Sequence, residues 1–361
     1  MADERYAVIL AGGKGERFWP QSTSRRPKQL LELMGDTSLL AQAVDRLEGL
    51  VPPDRVFVLT NAELVEACWE AAPRLPRENI VGEPVGRDTA PAVALGGALV
   101  GARDPDASFC VVTADQLIGD LPVFQNTLRT GMDLAAAHDV LMTIGIQPAA
   151  PSTGFGYVET GIAWKEIDGV SFFEVEQFVE KPDSATAESY LARGTFYWNS
   201  GMFIWSVPSL HRAFSRFQPE LAALMDRLSA AAWGGSLESE LAECYPGLTK
   251  ISIDYALMEH AANVVMAKGT FSWDDVGSWT ALADHFPADE ADNTSIGQVA
   301  SVQSSGNIVF SKDRLTALVG VEDLIVVQAD GVTLVCAKER SQEIKKMVEQ
   351  LRNASGYEKL L

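Results

Sequence analysis

Short apolar runs alternate with helical patterns through the first half of the chain, and this limits the possible folds more than any other feature of the sequence. YAVIL at 6–10 precedes an amphipathic stretch from Leu39 to Leu50, VFVLT at 56–60 precedes Ala62 to Ala72, FCVVT at 109–113 precedes Val123 to His138, and LMTIGI follows at 141–146. Runs that are apolar at every position mark strands buried on both faces, as in a parallel sheet built from βαβ units. The expected fold is α/β: an open, mostly parallel, Rossmann-like sheet with helices on both faces. Ligands of such sheets bind beyond the carboxyl ends of the strands, so the residues directly after YAVIL and FCVVT are where chemistry is expected.

The pattern changes near Pro148. FFEVEQFVE at 172–180 alternates apolar and polar residues like a half-exposed strand, and the region reads as an insertion covering the sheet. After Asn293, QVASV, NIVF, LTALVG, DLIVVQA and VTLVCA read as short strands between turn residues, closing on an amphipathic helix from Ser341 to Leu351. The acidic, polar stretch Ala288 to Ser295 is the linker candidate, giving residues 1–290 as one domain and 291–361 as a small β domain. Thr89 to Ala102 falls short of the roughly 18 apolar residues of a membrane span and reads as a buried helix. Tyr6 to Leu10 is too short for a signal-peptide core of roughly 7 to 15 residues, so the mature chain is expected to start here, in the cytoplasm.

With 29 Lys and Arg against 49 Asp and Glu, the formal charge of −20 disfavours nucleic acid and anionic membrane as partners. The four cysteines and four histidines are scattered, without CxxC or HExxH, which argues against disulfides and zinc. Against this background LAGGKGERFWPQSTSRRPKQLLEL at 10–33 reverses the local sign: Lys14, Arg17, Arg25, Arg26 and Lys28 fall within fifteen residues that hold only Glu16 against them. Gly12, Gly13 and Gly15 permit tight turns whose backbone N–H groups face outward, a cradle for phosphate. A dinucleotide fingerprint fails because Phe18 stands three after Gly15, and a P-loop fails because Gly13-Lys14 is followed by Gly15.

GGxGxR followed by Pro27-Lys28-Gln29 resembles the signature of the sugar nucleotidyltransferases, which join a nucleoside triphosphate to a sugar 1-phosphate. GEPVGRDTAPAVAL at 82–95, VTADQ at 112–116, GFGYVE at 154–159, FVEKP at 178–182, WNSGMF at 198–203 and WDDVGSW at 273–279 follow in the family's order. EPxGR, EKP, NSGMF and WxDVGSW are most similar to the branch that couples GTP to mannose 1-phosphate, in its short form without an added isomerase domain. The resemblance implies Mg²⁺ on Asp115 and Asp275. It implies nucleotide contacts from Ala11, Gly12, Gly13, Lys14, Gly15, Glu83, Pro84, Gly86, Arg87, Asp88, Thr89 and Ala90. Sugar contacts are implied for Gly156, Glu159, Glu180 and Asn199, and Lys181 would hold the sugar 1-phosphate. Arg17 and Lys28 would neutralise the triphosphate. A left-handed β-helix-like C-terminal domain and a homodimer are implied too, the latter helped by apolar strand edges at LIVVQ.

Glu83 has acceptor oxygens suited to the N1–H and N2–H₂ of guanine. Two positions depart from the family: Asp88 stands where Asn is common, and Gln116 where His is. A carboxylate at 88 near phosphates is unfavourable unless paired, and Gln116 cannot titrate. Read alone, Asp115 could cap a helix, Asp274 and Asp275 could be a surface pair, and Trp198 and Trp273 are core aromatics. The same chemistry on UTP or dTTP with glucose 1-phosphate, or a non-catalytic nucleotide-sugar sensor, remain open alternatives.

Overall fold

The computed structural model describes residues 5–361. The chain divides into two compact units, the first made of the N-terminal residues to Gly12 with Gln42–Ala114 and Ile118–Trp273, the second of Gly13–Ala41, Asp115–Leu117 and Asp274–Leu361.

The first unit is built on nine strands: β1 (Arg5–Leu10), β2 (Val56–Asn61), β3 (Ile80–Glu83), β4 (Ser108–Thr113), β5 (Leu141–Ile146), β6 (Tyr157–Ile167), β7 (Val170–Val179), β8 (Phe196–Ser206) and β9 (Val264–Gly269). Their order is β3-β2-β1-β4-β8-β5-β9-β7-β6, and only β7 and β8 oppose the common direction. The four apolar runs of the first half are strands as expected.

The region after Pro148 corrects the sequence reading. It does not cover the sheet but completes it: β8 lies antiparallel between β4 and β5, and β7 pairs with β9. Without β8, two buried ladders would face each other with unpaired N–H and C=O groups. Strand alternation then splits the core. Leu141, Phe203 and Trp205 point into one cluster with the helices Thr89–Arg103, Val207–Phe217 and Pro219–Gly234. Met142 and Ile204 point the other way, against Gly131 of the helix Leu121–Ala137. Residues 90–100 are all buried, because the helix is packed between the sheet and other helices.

The second unit carries four strands: β10 (Thr294–Val302), β11 (Ile308–Val319), β12 (Leu324–Ala329) and β13 (Val332–Ala337). β10, β11 and β12 run parallel and β13 returns antiparallel to β12. NIVF and LTALVG prove to be one strand. LIVVQ is not an open edge as expected from sequence: β12 is paired on both sides, so its ladder groups are already satisfied. Phe18, Trp19 and Leu31 from the glycine-rich segment share a core with Val276, Trp279, Phe310, Ile325, Val327 and Ile344, with Phe18 and Trp279 edge to face at 5.1 Å. Trp19 Nε1 donates to the Leu360 carbonyl at 2.8 Å, and Arg352 pairs with Glu16 at 2.8 Å. The loop is thereby fixed by Arg352 and Leu360, more than 330 positions away in sequence. Among the described residues no helix is long and apolar enough to cross a membrane.

Candidate active site

In the second unit the glycine-rich segment forms one wall of a cavity of about 500 Å³. Gly15 adopts φ +63°, the left-handed region, and its carbonyl accepts from Ser22 Oγ at 2.6 Å and Phe18 N at 2.9 Å. A Cβ there would stand 2.8 Å from the backbone nitrogen of Lys28, so the glycine lets Lys28 come close. Lys28 is buried in the turn Lys28–Leu30, its Nζ 3.0 Å from Asp115 Oδ2 and donating to the Asp275 carbonyl. Lys14, Arg17, Lys28 and Lys345 meet Asp115, Gln116 and Asp275 on the cavity wall, whereas Arg25 and Arg26 do not line it. Lys345, on the helix Ile344–Arg352, was not legible in the sequence because that helix reads only as an amphipathic surface element.

The neighbouring acids divide their work. Asp274 Oδ1 accepts from Val276 N at 2.7 Å and Oδ2 contacts His285 Nε2 at 2.8 Å. This side chain holds a turn in which Val276 takes φ +46°, rare for a β-branched residue. Asp275 is left to line the cavity. Burial raises its carboxyl above the usual range, Lys28 opposes that, and Asp274 and Asp115 add to it.

The first unit holds the other predicted residues. Ala11 N donates to the Leu59 carbonyl at 2.8 Å and its own carbonyl accepts from Thr60 Oγ1 at 3.0 Å, so the chain leaves β1 in a fixed direction. A Cβ on Gly12 would lie 3.9 Å from Glu83 Oε2. Glu83, at the end of β3, is buried, which pushes its carboxyl up to about 7; the Tyr245 hydroxyl, 2.7 Å from Oε1, opposes the rise. Pro84 and Gly86 are exposed. Arg87 spends its guanidinium on the carbonyls of Tyr245, at 3.3 Å, and Pro246.

Asp88 has φ +70°, and its Oδ1 accepts from Thr89 N at 2.8 Å, capping the helix Thr89–Arg103. A carboxylate at a helix N-terminus is favoured, which explains how it is tolerated here. Thr89 Oγ1 accepts from Ile253 N at 2.8 Å, and Ala90 N donates to the Ile251 carbonyl at 3.1 Å.

A second cavity, about 630 Å³, is lined by Asp88, Thr89, Glu180, Lys181, Lys250 and Asp254, among others. Lys181, at φ +47°, pairs with Glu180 at 2.7 Å. Gly156 lies directly against the Glu180 carboxylate, which a side chain at 156 would displace. Glu159 and Asn199 do not line this cavity. Glu159 pairs with Arg193. Asn199 Oδ1 accepts from Thr143 Oγ1 at 2.9 Å and Gly201 N at 3.2 Å, while its Nδ2 donates to Asp254 Oδ1 at 3.0 Å. Asn199 thus presents Asp254, an acid that belongs to none of the sequence motifs. Burial and the nearby Glu180 push the Asp254 carboxyl up to about 7, opposed by Lys181 and Asn199. Trp198 and Trp273 pack against Phe155 at 5.0 and 5.4 Å, but both are only half-buried and stand outside the fully buried core.

Comparison with known proteins places these features in context. Residues 6–292 match the family model of nucleotidyl transferases, and residues 297–351 match that of the MannoseP isomerase/GMP-like beta-helix domain. The chain is 38% identical over 348 residues to the mannose-1-phosphate guanylyltransferase of Klebsiella pneumoniae, covering 96% of this chain and 73% of that protein. It is 35% identical over 362 residues to mannose-1-phosphate guanylyltransferase ManC of Salmonella typhimurium strain LT2, covering 98% and 74%. The crystal structure of mannose-1-phosphate geranyltransferase from Thermus thermophilus superposes with a TM-score of 0.86 at 34% identity, over 97% of this chain and 99% of that one.

Proposed function

The chain belongs to the nucleotidyl transferase family, and from that premise we propose that it transfers GMP from GTP to α-D-mannose 1-phosphate, giving GDP-mannose and pyrophosphate. The observation that carries the reading at the level of chemistry is Lys28 between Asp115 and Asp275 on one cationic cavity wall. A phosphate oxygen of the sugar phosphate forms a bond to the α-phosphorus of GTP while the bond to the bridging oxygen breaks and pyrophosphate leaves. No covalent enzyme intermediate is required. Catalysis then rests on alignment and on cations placed where negative charge develops.

Lys28, Arg17 and Lys14 neutralise the triphosphate, with the N–H groups of Gly12, Gly13 and Gly15 as additional donors. Lys181 takes the sugar 1-phosphate, and Glu180 accepts from sugar hydroxyls. Glu83 reads the base, with Pro84 and Gly86 beside it. Asp115 and Asp275 supply hard oxygen donors on the same cavity wall, so the pair fits Mg²⁺. Bound there, the ion would neutralise phosphate charge as a Lewis acid. We divide the chain functionally into catalytic residues 1–290 and a β-helix-like segment 291–361, supported by the two family matches. A homodimer is supported by Val302, Val319 and Val335, which are more than half exposed on the C-terminal strands. A cytoplasmic setting is supported by four free cysteines.

The test is pyrophosphate release with Mg²⁺ and mannose 1-phosphate, run in parallel with GTP, ATP, UTP, CTP and dTTP. GTP-dependent release abolished by EDTA is the expected result. Release with a different nucleotide would overturn the base assignment. Silence with all five nucleotides, repeated with glucose 1-phosphate, would favour the sensor alternative.

A further inference from the structure

Glu83 and Tyr245 are brought together from 162 positions apart in sequence. Tyr245 is fully buried in the turn Tyr245–Gly247, directly after the helix Leu237–Cys244, and its hydroxyl donates to Glu83 Oε1 at 2.7 Å. The turn is held in place by Arg87, whose guanidinium donates to the carbonyls of residues 245 and 246. The same two stretches are joined again where Ile251 N donates to the Arg87 carbonyl at 3.3 Å and Ala90 N to the Ile251 carbonyl at 3.1 Å. One oxygen of Glu83 is therefore tied down, while Oε2 faces Gly12, 3.9 Å from where a Cβ would stand.

The protonation state of a carboxyl decides which purine edge it complements. An ionised carboxylate only accepts, and matches the adjacent N1–H and N2–H₂ donors of guanine. A neutral carboxyl has one O–H donor and one acceptor oxygen, and matches adenine, whose N1 accepts beside the N6–H₂ donor. A hydroxyl that donates to the carboxylate favours its ionised form. On the reading of Glu83 as the base-contacting residue, we infer that Tyr245 is a specificity-positioning residue that keeps Glu83 in the guanine-selecting state, making GTP-over-ATP preference dependent on pH.

Burial and Tyr245 act in opposite directions on Glu83, whose carboxyl stands at about 7. The titratable and charged groups facing the pair are few. Gly12 contributes none, Cys244 bears on the Tyr245 hydroxyl, and Arg87 lies on the carbonyl side of the turn. The two triphosphates titrate alike, so their ratio isolates the base site.

The experiment measures kcat/KM for GTP and for ATP between pH 6 and pH 8 in wild type, Tyr245→Phe and Glu83→Gln. The wild-type ratio is expected to rise with pH through about 7. In Tyr245→Phe the rise moves to higher pH and the ratio at pH 7 drops about five- to tenfold, carried by KM for GTP with kcat retained. A merely structural role would lower both activities together and leave the midpoint in place. If Glu83→Gln abolishes the preference while Tyr245→Phe changes neither ratio nor midpoint, the inference fails and the Glu83 reading stands. If Glu83→Gln preserves the preference, the Glu83 reading fails and takes the inference with it. The wild-type profile needs no variant to fold, and a ratio that is flat with pH overturns the proposal by itself.

Discussion

Lys28 Nζ lies 3.0 Å from Asp115 Oδ2 and also donates to the carbonyl of Asp275. One buried ammonium thus ties the glycine-rich segment to both acidic segments of its cavity. No sequence neighbour can substitute, since the turn Lys28–Leu30 is held in the core beneath Phe18, whose ring centroid is 5.8 Å from Nζ. Lys28→Ala should lower turnover about 10²-fold or more, the scale of losing a preorganised charge contact. Steady-state kcat with GTP and mannose 1-phosphate checks this, and near wild-type turnover would refute the catalytic role.

Gly15 and Gly13 look alike in sequence but not in the fold. Gly15 has φ +63° and faces the Lys28 backbone, while Gly13 has no positive φ and open space within 4 Å of where a Cβ would stand. Gly15→Ala should cost about 2 kcal/mol from left-handed strain and overpacking, and displace Lys28. Gly13→Ala should be nearly neutral in stability. Denaturant midpoints of the two variants decide, and equal midpoints would show that the loop relaxes around the added methyl.

Asp275 and Asp274 are adjacent, yet only Asp275 lines the cavity, because Asp274 is engaged by Val276 N and His285. Asp275→Asn keeps the shape but removes a hard anionic donor. The Mg²⁺ concentration giving half-maximal activity should rise markedly. An unchanged titration would place the metal elsewhere.

The parallel strands were legible because they are apolar at every position, which only double-sided burial explains, and the glycine loop because its charge opposes that of the whole chain. β6 to β8 were misplaced because alternation reports a half-exposed strand without saying which ladder it joins, and β8 pairs with strands far from it in sequence. Asn199 and Glu159 illustrate a different limit. A motif identifies residue types, but partners such as Asp254 and Arg193 decide whether a polar atom is free for a ligand, and those partners come from distant segments. Tyr245 and Asp254 were missed for the same reason: each gains its importance from a contact across more than fifty positions.

Glu83 and Asp254 are two acids whose burial raises their carboxyls to about 7 in the folded chain, from ordinary values of 4.5 and 3.8. Between the ordinary carboxylate range and pH 7 the folded state therefore holds protons that the unfolded chain has released. By linkage their contribution is most favourable at low pH, declines as pH rises through that window, and stays unfavourable above it. Glu83→Gln and Asp254→Asn keep the acceptor oxygens used by Tyr245 and Asn199 but remove the ionisation. Each variant should raise Tm of the ligand-free protein at pH 8 by about 2–4 °C, with a smaller change at pH 5. Thermal unfolding at the two pH values is the check. A variant that destabilises equally at both would mean that its carboxyl is ionised and compensated in the fold, contrary to the burial of these two side chains.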